Sequence, residues 1–223
     1  MEPQLTDSLM MSEIEDHLAP VLRYRRPPSG EVPQDVVGYE CPKGLITLLG
    51  VADGFITGDG LFRVFGFGHD DQLPSLEQWN RSEWKQAYGP LAHGIVFIAE
   101  DVFGDQYGYD FRGKRQFVKF YCEGGEIEAL EGGINWFIEA LVDPFGSGAL
   151  DGELIKAVRL RGKWPSHKEH LAFKLPLIAG GDRTVDNLEV ESVDLHLGIL
   201  AQLSRQNLDQ VDGTPIAHFK SEK

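Results

Sequence analysis

Residues 94–143 read GIVFIAEDVFGDQYGYDFRGKRQFVKFYCEGGEIEALEGGINWFIEALVD, and this segment carries the clearest structural pattern in the chain. Short apolar runs alternate with acidic and glycine-containing turns, as in consecutive antiparallel hairpins. The runs predict strands at residues 95–99, 107–111, 116–121 and 126–129. The connections RGK and EGG are compatible with tight hairpin turns.

A helix is predicted directly after these strands. The spacing i, i+3, i+4, i+7 of Ile134, Phe137, Ile138 and Leu141 is that of a helix with one packed face. Short strands followed by a helix indicate an α+β fold, in which helices flank a single, mainly antiparallel sheet of about four to six strands.

The flanking segments predict further elements. A short amphipathic helix near the N-terminus is followed by the proline-rich stretch 23–33, which we interpret as a surface linker. Pro42 opens a helix that ends at Asp53-Gly54, and LFRVFGFG reads as a strand. Residues 74–88 have a helical pattern with large aromatic side chains.

The C-terminal segment predicts a short buried strand at LPLIAGGD, residues 175–182. Asp186 and Glu189 have the spacing of a capping box for a helix with Val193, Leu197, Leu200 and Leu203 along one side. The expected organisation is an N-terminal helix and linker (1–32), an α+β domain (33–148) and a C-terminal extension packed on the same domain (149–223).

Charge is the unusual feature of the composition. The chain has 21 basic and 35 acidic residues, a formal net charge of −14. Such a charge repels nucleic acid and anionic membranes at long range and speeds association with a cationic protein.

The N-terminus lacks the basic start and the apolar run of a signal peptide, so we expect a cytoplasmic protein. Cys41 and Cys122 form no CxxC pair and are expected to be reduced thiols.

Few residues in the sequence are candidates for catalysis or metal binding. Glu100, Asp101, Asp105 and Asp110 cluster around one predicted turn, where a hydrolase could place carboxylates for a divalent cation. No neighbouring residues complete such a site, and acidic residues at turns commonly serve backbone geometry. His167 and His170 lie in HKEH rather than HExxH, which favours a solvated or capping role. Glycine-rich phosphate loops and nucleophile motifs are absent from the sequence, so we expect no catalytic residues, metal or cofactor.

Four segments resemble, in their order, the SUKH superfamily of fungal cell-wall assembly regulators and bacterial immunity proteins. They are LITLLGVADGF (45–55), LPSLEQWNRSEWKQAYG (73–89), IVFIAEDVFGDQYGYDF (95–111) and GGINWFIEALVD (132–143). Asp53-Gly54 stands where the family commonly has Asn-Gly, and Phe103-Gly104-Asp105 with Tyr109-Asp110 fits its central hairpin. The similarity spans about residues 36–144.

The resemblance implies a SUKH-like fold and a non-enzymatic protein-binding module, an immunity protein that neutralises a cationic toxin domain. Aromatic residues would anchor such an interface, and acidic residues would accelerate docking. The candidate partner surface is Glu100, Asp101, Asp105, Tyr107 and Asp110. Two alternatives remain: a regulatory or scaffold protein of the same fold without a toxin partner, and a metal-dependent hydrolase that uses the carboxylates of residues 100–110.

Overall fold

The computed structural model describes residues 7–28 and 33–209. Its main sheet contains seven strands: β1 (Leu22–Arg25), β4 (Phe55–Thr57), β5 (Phe62–Val64), β6 (Ile95–Asp101), β7 (Gln106–Asp110), β8 (Gln116–Phe120) and β9 (Ile127–Ala129). They are antiparallel neighbours in the order β1-β4-β5-β6-β7-β8-β9. Two small sheets pair β2 (Asp35–Val36) with β3 (Tyr39–Glu40), and β10 (Glu169–Phe173) with β11 (Leu188–Ser192).

Helices surround this sheet: α1 (Asp7–Leu18), α2 (Lys43–Val51), α3 (Leu76–Asn80), α4 (Glu83–Tyr88), α5 (Ile134–Val142), α6 (Gly152–Leu160) and α7 (Val193–Asp209). The protein therefore has the α+β fold that its sequence predicts, with a mainly antiparallel sheet flanked by helices. Within the described residues, no helix is both long enough and apolar enough to cross a lipid bilayer.

The two faces of the main sheet are covered by different helices. Side chains alternate between the faces along a strand, so the neighbours Tyr107 and Gly108 face opposite ways. Phe137 of α5 packs against Tyr107 on one face, with ring centroids 5.0 Å apart. Phe97 pairs with Gly108 and meets Trp84 of α4, at 5.8 Å, on the other face. We call these the α5 face and the α4 face.

The strands β6 to β9 and helix α5 confirm the predictions from residues 94–143. Their ends differ from the predicted ends by at most two residues. The sheet is wider than about four to six strands because β1 and β4 extend it to seven.

The first residues of the stretch 23–33, which was predicted to be a surface linker, belong to a strand. This strand, β1, pairs with β4. The next residue, Arg26, is buried and donates hydrogen bonds from Nε to the carbonyl oxygen of Asp53 (2.5 Å) and from Nη1 to that of Leu73 (3.0 Å). These contacts come from remote segments, so the local proline-rich composition does not reveal them. Residues 29–32 lie outside the described residues.

The helix predicted over residues 74–88 is divided into α3 and α4. Ser75 caps α3, since its Oγ accepts from the Gln78 N–H (3.1 Å) and its own N–H donates to Gln78 Oε1 (2.9 Å). Asn80 then bonds to β6, accepting from Phe97 N–H (2.9 Å) and donating to Phe97 O (2.7 Å). This attachment to the sheet accompanies the break between the helices.

Two C-terminal predictions are wrong. Residues Leu177–Ala179 form a 3₁₀ turn instead of a strand, and the strand β10 lies earlier in the chain. Asp186 and Glu189 do not cap a helix, because Glu189 belongs to β11 and α7 begins only at Val193. The antiparallel pairing of β10 with β11 gives this segment a hydrogen-bond ladder that a local helical pattern does not anticipate.

Candidate functional site

Glu100 and Asp101 face opposite sides of the sheet. They are adjacent in β6, and each is only 1% exposed. Glu100 contacts Arg63 and His170, whereas Asp101 contacts Tyr107 and Lys119 on the α5 face. The four carboxylates of residues 100–110 therefore do not all converge on one point.

Lys119 neutralises the carboxylates on the α5 face. Its Nζ lies 3.1 Å from Asp105 Oδ2 and 3.5 Å from Asp101 Oδ2. Tyr107 donates its hydroxyl hydrogen to Asp101 Oδ2 (3.1 Å), and Asp101 Oδ1 also accepts from the Phe103 N–H (2.9 Å). Asp101 and Asp105 thus hold the β6–β7 turn, which is the geometric role expected of acidic turn residues.

The ionisation of this group follows from its burial. Burial raises the pKa of Asp101 to about 7, although Lys119 opposes the shift and Asp105 adds to it. Burial alone would lower the pKa of Lys119, but the carboxylates of Asp105 and Asp101 outweigh it and raise that pKa. The lysine therefore stays charged throughout the physiological range.

The predicted partner surface requires correction. Glu100, Asp101, Tyr107 and Asp110 are buried, and the side chain of Asp105 is only 15% exposed. Asp110 lies at the opposite end of β7 from Asp105 and is paired with Arg112 at 2.7 Å. Inward-facing carboxylates bonded to their own cations offer no surface to a partner, so these residues are not a docking site.

A second buried network lies on the α4 face. Glu100 Oε1 is 2.8 Å from Arg63 Nε, and Glu100 Oε2 is 3.1 Å from His170 Nε2. His170 Nδ1 lies 3.0 Å from His196 Nδ1 of α7, and Gln106 Nε2 donates to Glu100 at 3.2 Å. His170 is fully buried, so the solvated or capping role predicted for it is wrong. The HKEH spacing gives no sign of this partner because Glu100 is remote in sequence.

Both histidines of this network are neutral. Burial lowers the pKa of His170 despite the opposing charge of Glu100, and burial followed by the proximity of His170 lowers that of His196 to about 3. Burial would raise the pKa of Glu100, but Arg63 and His170 hold it below its ordinary value. With neutral rings, His196 donates Nδ1–H to His170, and His170 donates Nε2–H to Glu100.

A cleft of about 700 Å³ opens over this network, and we call it the acidic cleft. Exposed aspartates Asp70, Asp71 and Asp194 lie at its rim, together with His69, His167 and Lys168. Buried side chains form its floor: Arg63, Phe65, Trp79, Trp84 and Glu100. Phe65 stacks on Trp79 with ring centroids 4.5 Å apart, and Trp79 lies 5.2 Å from Trp84. The cleft thus combines an acidic rim with an aromatic floor.

Hydrogen bonds to the side chains of Asp53 and Asp70 fix the loop of residues 67–73, which carries part of the rim. The carboxylate of Asp53 accepts backbone N–H groups of Phe67 (2.5 Å) and Gly68 (2.9 Å). Asp70 Oδ1 accepts those of Gln72 and Leu73, each at 2.9 Å. Asp53 precedes Gly54, whose φ of 88° suits glycine. The Asp-Gly pair noted in the sequence therefore positions the loop that carries Asp70 and Asp71.

Three N–H donors in the floor have no hydrogen-bond partner among the described residues, namely Arg63 Nε, Arg63 Nη2 and Trp84 Nε1. Arg63 Nε lies 2.8 Å from Glu100 Oε1 as an ion pair, and Nη1 donates to the carbonyl oxygen of His167. A buried donor without an acceptor costs free energy, so an oxygen acceptor that reached these nitrogens would be stabilised. The nitrogens themselves are buried, so the side chains must shift before a group in the cleft contacts them. Sequence reasoning missed this site because its residues come from distant segments.

The described residues place no group of three or more His, Cys, Asp or Glu side chains where it could hold a metal ion. Cys41 and Cys122 are free and buried. Burial raises the pKa of Cys41 to about 11 and that of Cys122 as well, so both thiols are protonated at neutral pH.

Comparison with known proteins supports the fold. No protein-family model and no curated protein matches the sequence. Among solved structures, the crystal structure of Atu4351 from Agrobacterium tumefaciens is similar, with a TM-score of 0.51 and 12% sequence identity. The match covers 91% of this chain and 83% of that chain. At this identity the likeness shows a common fold alone.

Proposed function

We propose that the protein is a non-enzymatic binding module with a SUKH-like fold, an immunity protein that docks a cationic toxin domain at the acidic cleft. The observation that carries the proposal is the cleft itself, where exposed aspartates surround an aromatic floor. Interfaces commonly place charged residues at the rim of a less polar centre. Here that centre is floored by Trp79 and Trp84, which expose 7% and 4% of their surface.

The charge of the molecule supports a cationic partner. Its formal net charge is −14. The described residues form no ion pair with Asp71 or Asp194, whereas Glu100, Asp101 and Asp110 are each paired internally. Rim charges that remain free to meet a partner raise its association rate, and salt screens this effect.

The floor supports a peptide segment as the docked group. Arg63 Nη2 and Trp84 Nε1 lie beneath the cleft without an acceptor and can donate to carbonyl oxygens once a docking segment moves these side chains, and Arg63 is already neutralised by Glu100 at 2.8 Å. Lysine or arginine side chains of the same segment would then meet Asp71 and Asp194. Catalysis is not needed for such a role, because covering an active site is sufficient to inhibit a toxin.

Co-expression tests this function directly. The probe is the C-terminal domain encoded by the reading frame next to the gene of this protein. We expect the wild-type protein to bind that domain and to restore the growth of cells that produce it. The double variant Asp71→Lys, Asp194→Lys should slow association at least about tenfold and reduce its salt dependence.

A matched variant separates this site from general charge effects. Glu131→Lys, Glu139→Lys makes the same change in net charge at exposed positions near or within α5. It should leave association close to that of the wild type. Equal slowing by the two double variants would remove the acidic cleft as the docking site, and the absence of any complex would refute the immunity function.

A further inference from the structure

A second cleft, also of about 700 Å³, has the opposite character, and we call it the basic cleft. Among the described residues its lining contains no aspartate or glutamate. The lining residues are Val37, Tyr39, Asn80, Lys85, Gln86, Gly89, Pro90, Ala92, His93, Gly94, Ile95 and Val96. A cleft of this size without acidic side chains is unexpected in a chain of net charge −14.

Lys85 of α4 is the cation of this cleft. Its Nζ donates to Asn80 Oδ1 at 2.8 Å and to the carbonyl oxygen of Ile95 at 2.6 Å. The ammonium also lies 5.1 Å from the ring centroid of Phe97. An ammonium has three N–H donors, so one remains for another acceptor. The described residues provide no carboxylate in ion-pair contact with Lys85.

Asn80 cannot contribute further to a ligand. Its Oδ1 accepts from Lys85 and from the Phe97 N–H, and its Nδ2 donates to the carbonyl oxygens of Leu76 and Phe97. These four bonds use its full capacity. Asn80 therefore holds the Lys85 ammonium in place and leaves the remaining donor of Lys85 as the polar group for a ligand.

The charge of Lys85 favours an anion. Burial lowers the pKa of Lys85 to about 8, because its charged form lacks a compensating carboxylate. A second cation, Arg205 of α7, lies against Gly89 at the margin of the cleft. Its buried Nε has no hydrogen-bond partner among the described residues.

The remaining lining is mainly apolar: Val37 and Pro90 are accessible, and Ala92, Ile95 and Val96 are buried behind them. Val37 has a φ of 54°, a strained conformation for a β-branched residue, and Gly38 follows with 83°. This tight β2–β3 turn places Val37 in the cleft wall.

We propose that the basic cleft binds a small organic monocarboxylate, whose carboxylate accepts a hydrogen bond from Lys85 Nζ and whose apolar body lies against Val37 and Pro90. The shape and chemistry of the wall favour such a ligand over inorganic phosphate, which would leave the apolar surface uncovered. The site is independent of the proposed immunity function and of the acidic cleft.

Benzoate is a suitable probe, with benzamide as its neutral counterpart. In an NMR titration we expect benzoate to bind with a dissociation constant on the order of 1 mM, as befits a ligand of this size. Shifts should centre on the backbone amides of residues 85–96. Lys85→Met should weaken binding at least about tenfold, whereas Lys168→Met, at the acidic cleft, should leave it unchanged.

A pH series with the wild-type protein tests the same site without a variant that could misfold. Affinity for benzoate should fall as the pH rises through about 8, where Lys85 loses its proton. Tyr39, His93 and Arg205 also face or border the cleft, so His93→Gln serves as a control that should keep this dependence. Failure of benzoate to saturate, equal binding of benzamide, or binding of phosphate alone would overturn the proposal.

Discussion

At Glu100 and Asp101, two consecutive carboxylates lie in the interior without sharing a cation. Strand alternation directs Glu100 to Arg63 and Asp101 to Lys119, at 2.8 Å and 3.5 Å. A buried carboxylate without a partner would be strongly destabilising, so each of these cations is required by the residue that it neutralises. The acidic turn that stands out in the sequence is therefore part of the interior.

Phe137 offers a test of packing at the same scale. It is fully buried and lies against Phe62, Tyr107 and Phe117. Phe137→Ala should lower the free energy of unfolding by about 3 to 5 kcal/mol, because it removes apolar contacts and leaves a cavity. Urea denaturation followed by circular dichroism measures the change.

The adjacent Trp136 is the matched control. It is only partly buried, since neighbouring helical residues face different directions. Trp136→Ala should therefore cost less than Phe137→Ala. An equal or larger loss for Trp136→Ala would contradict the packing of α5 described above.

At the scale of elements, β10, β11 and α7 complete the α4 face. Leu171 of β10 donates its N–H to the carbonyl oxygen of Val102 (2.8 Å), and His170 bonds to Glu100 (3.1 Å). His196 of α7 contacts His170 in turn. Asp194 at the start of α7 then forms part of the acidic rim. The C-terminal elements thus build one wall of the candidate site.

The buried histidines predict a pH dependence of stability. The pKa of each is lowered in the folded protein, so below their ordinary pKa of about 6.5 the unfolded chain binds protons that the folded chain excludes. The contribution of the histidines to stability should fall as the pH drops from about 6.5 towards 5, by up to about 1.4 kcal/mol per pH unit for each histidine. Asp101 and Glu123, whose pKa values burial raises to about 7, contribute in the opposite direction over the same range. Thermal unfolding across this range measures the effect.

His196→Gln isolates one of these contributions. The variant should lose less stability than the wild type between pH 6.5 and 5, where its missing imidazole can no longer titrate. Asp101 and Glu123, each with its pKa raised to about 7, act in the opposite direction in both proteins and cancel in the comparison. Exposed His17→Gln should behave like the wild type. Parallel curves for wild type and His196→Gln would refute the neutral buried pair.

For the whole molecule, we expect a single cooperative unit. One cluster of buried apolar residues extends from Leu18 to Ala201 and includes Leu171 and Leu197 of the C-terminal elements. The division into segments 1–32, 33–148 and 149–223 remains a prediction. Calorimetry tests whether the C-terminal extension unfolds together with the α+β domain. A single transition with equal calorimetric and van 't Hoff enthalpies is expected.

Truncation provides the complementary test. A chain that ends at residue 148 lacks His170 and uncovers Glu100 and Arg63, so it should unfold at lower temperature and urea concentration than the full chain. Two separate transitions in the full chain, or unchanged stability after truncation, would show that the C-terminal elements form a separate unit.

The core architecture was predictable because it rests on local patterns. Apolar side chains alternate with polar ones in residues 95–120 and follow helical spacing from Ile134 to Leu141. Because these apolar side chains must be buried, their spacing predicts the strands and the helix. The predictions failed at β1, β10 and β11, where pairing with remote strands outweighs local composition. The candidate site was missed for the same reason.

The sequence alone determined the α+β class, the sheet of residues 94–129 with its closing helix, and the acidic charge, because these properties are local or additive along the chain. Tertiary structure decided which charges remain at the surface. It placed Glu100 and Asp101 inside beside Arg63 and Lys119 and left Asp71 and Asp194 exposed around an aromatic floor. Burial of a charge depends on a cation from another strand or helix, and the position of that cation is set only when the chain folds.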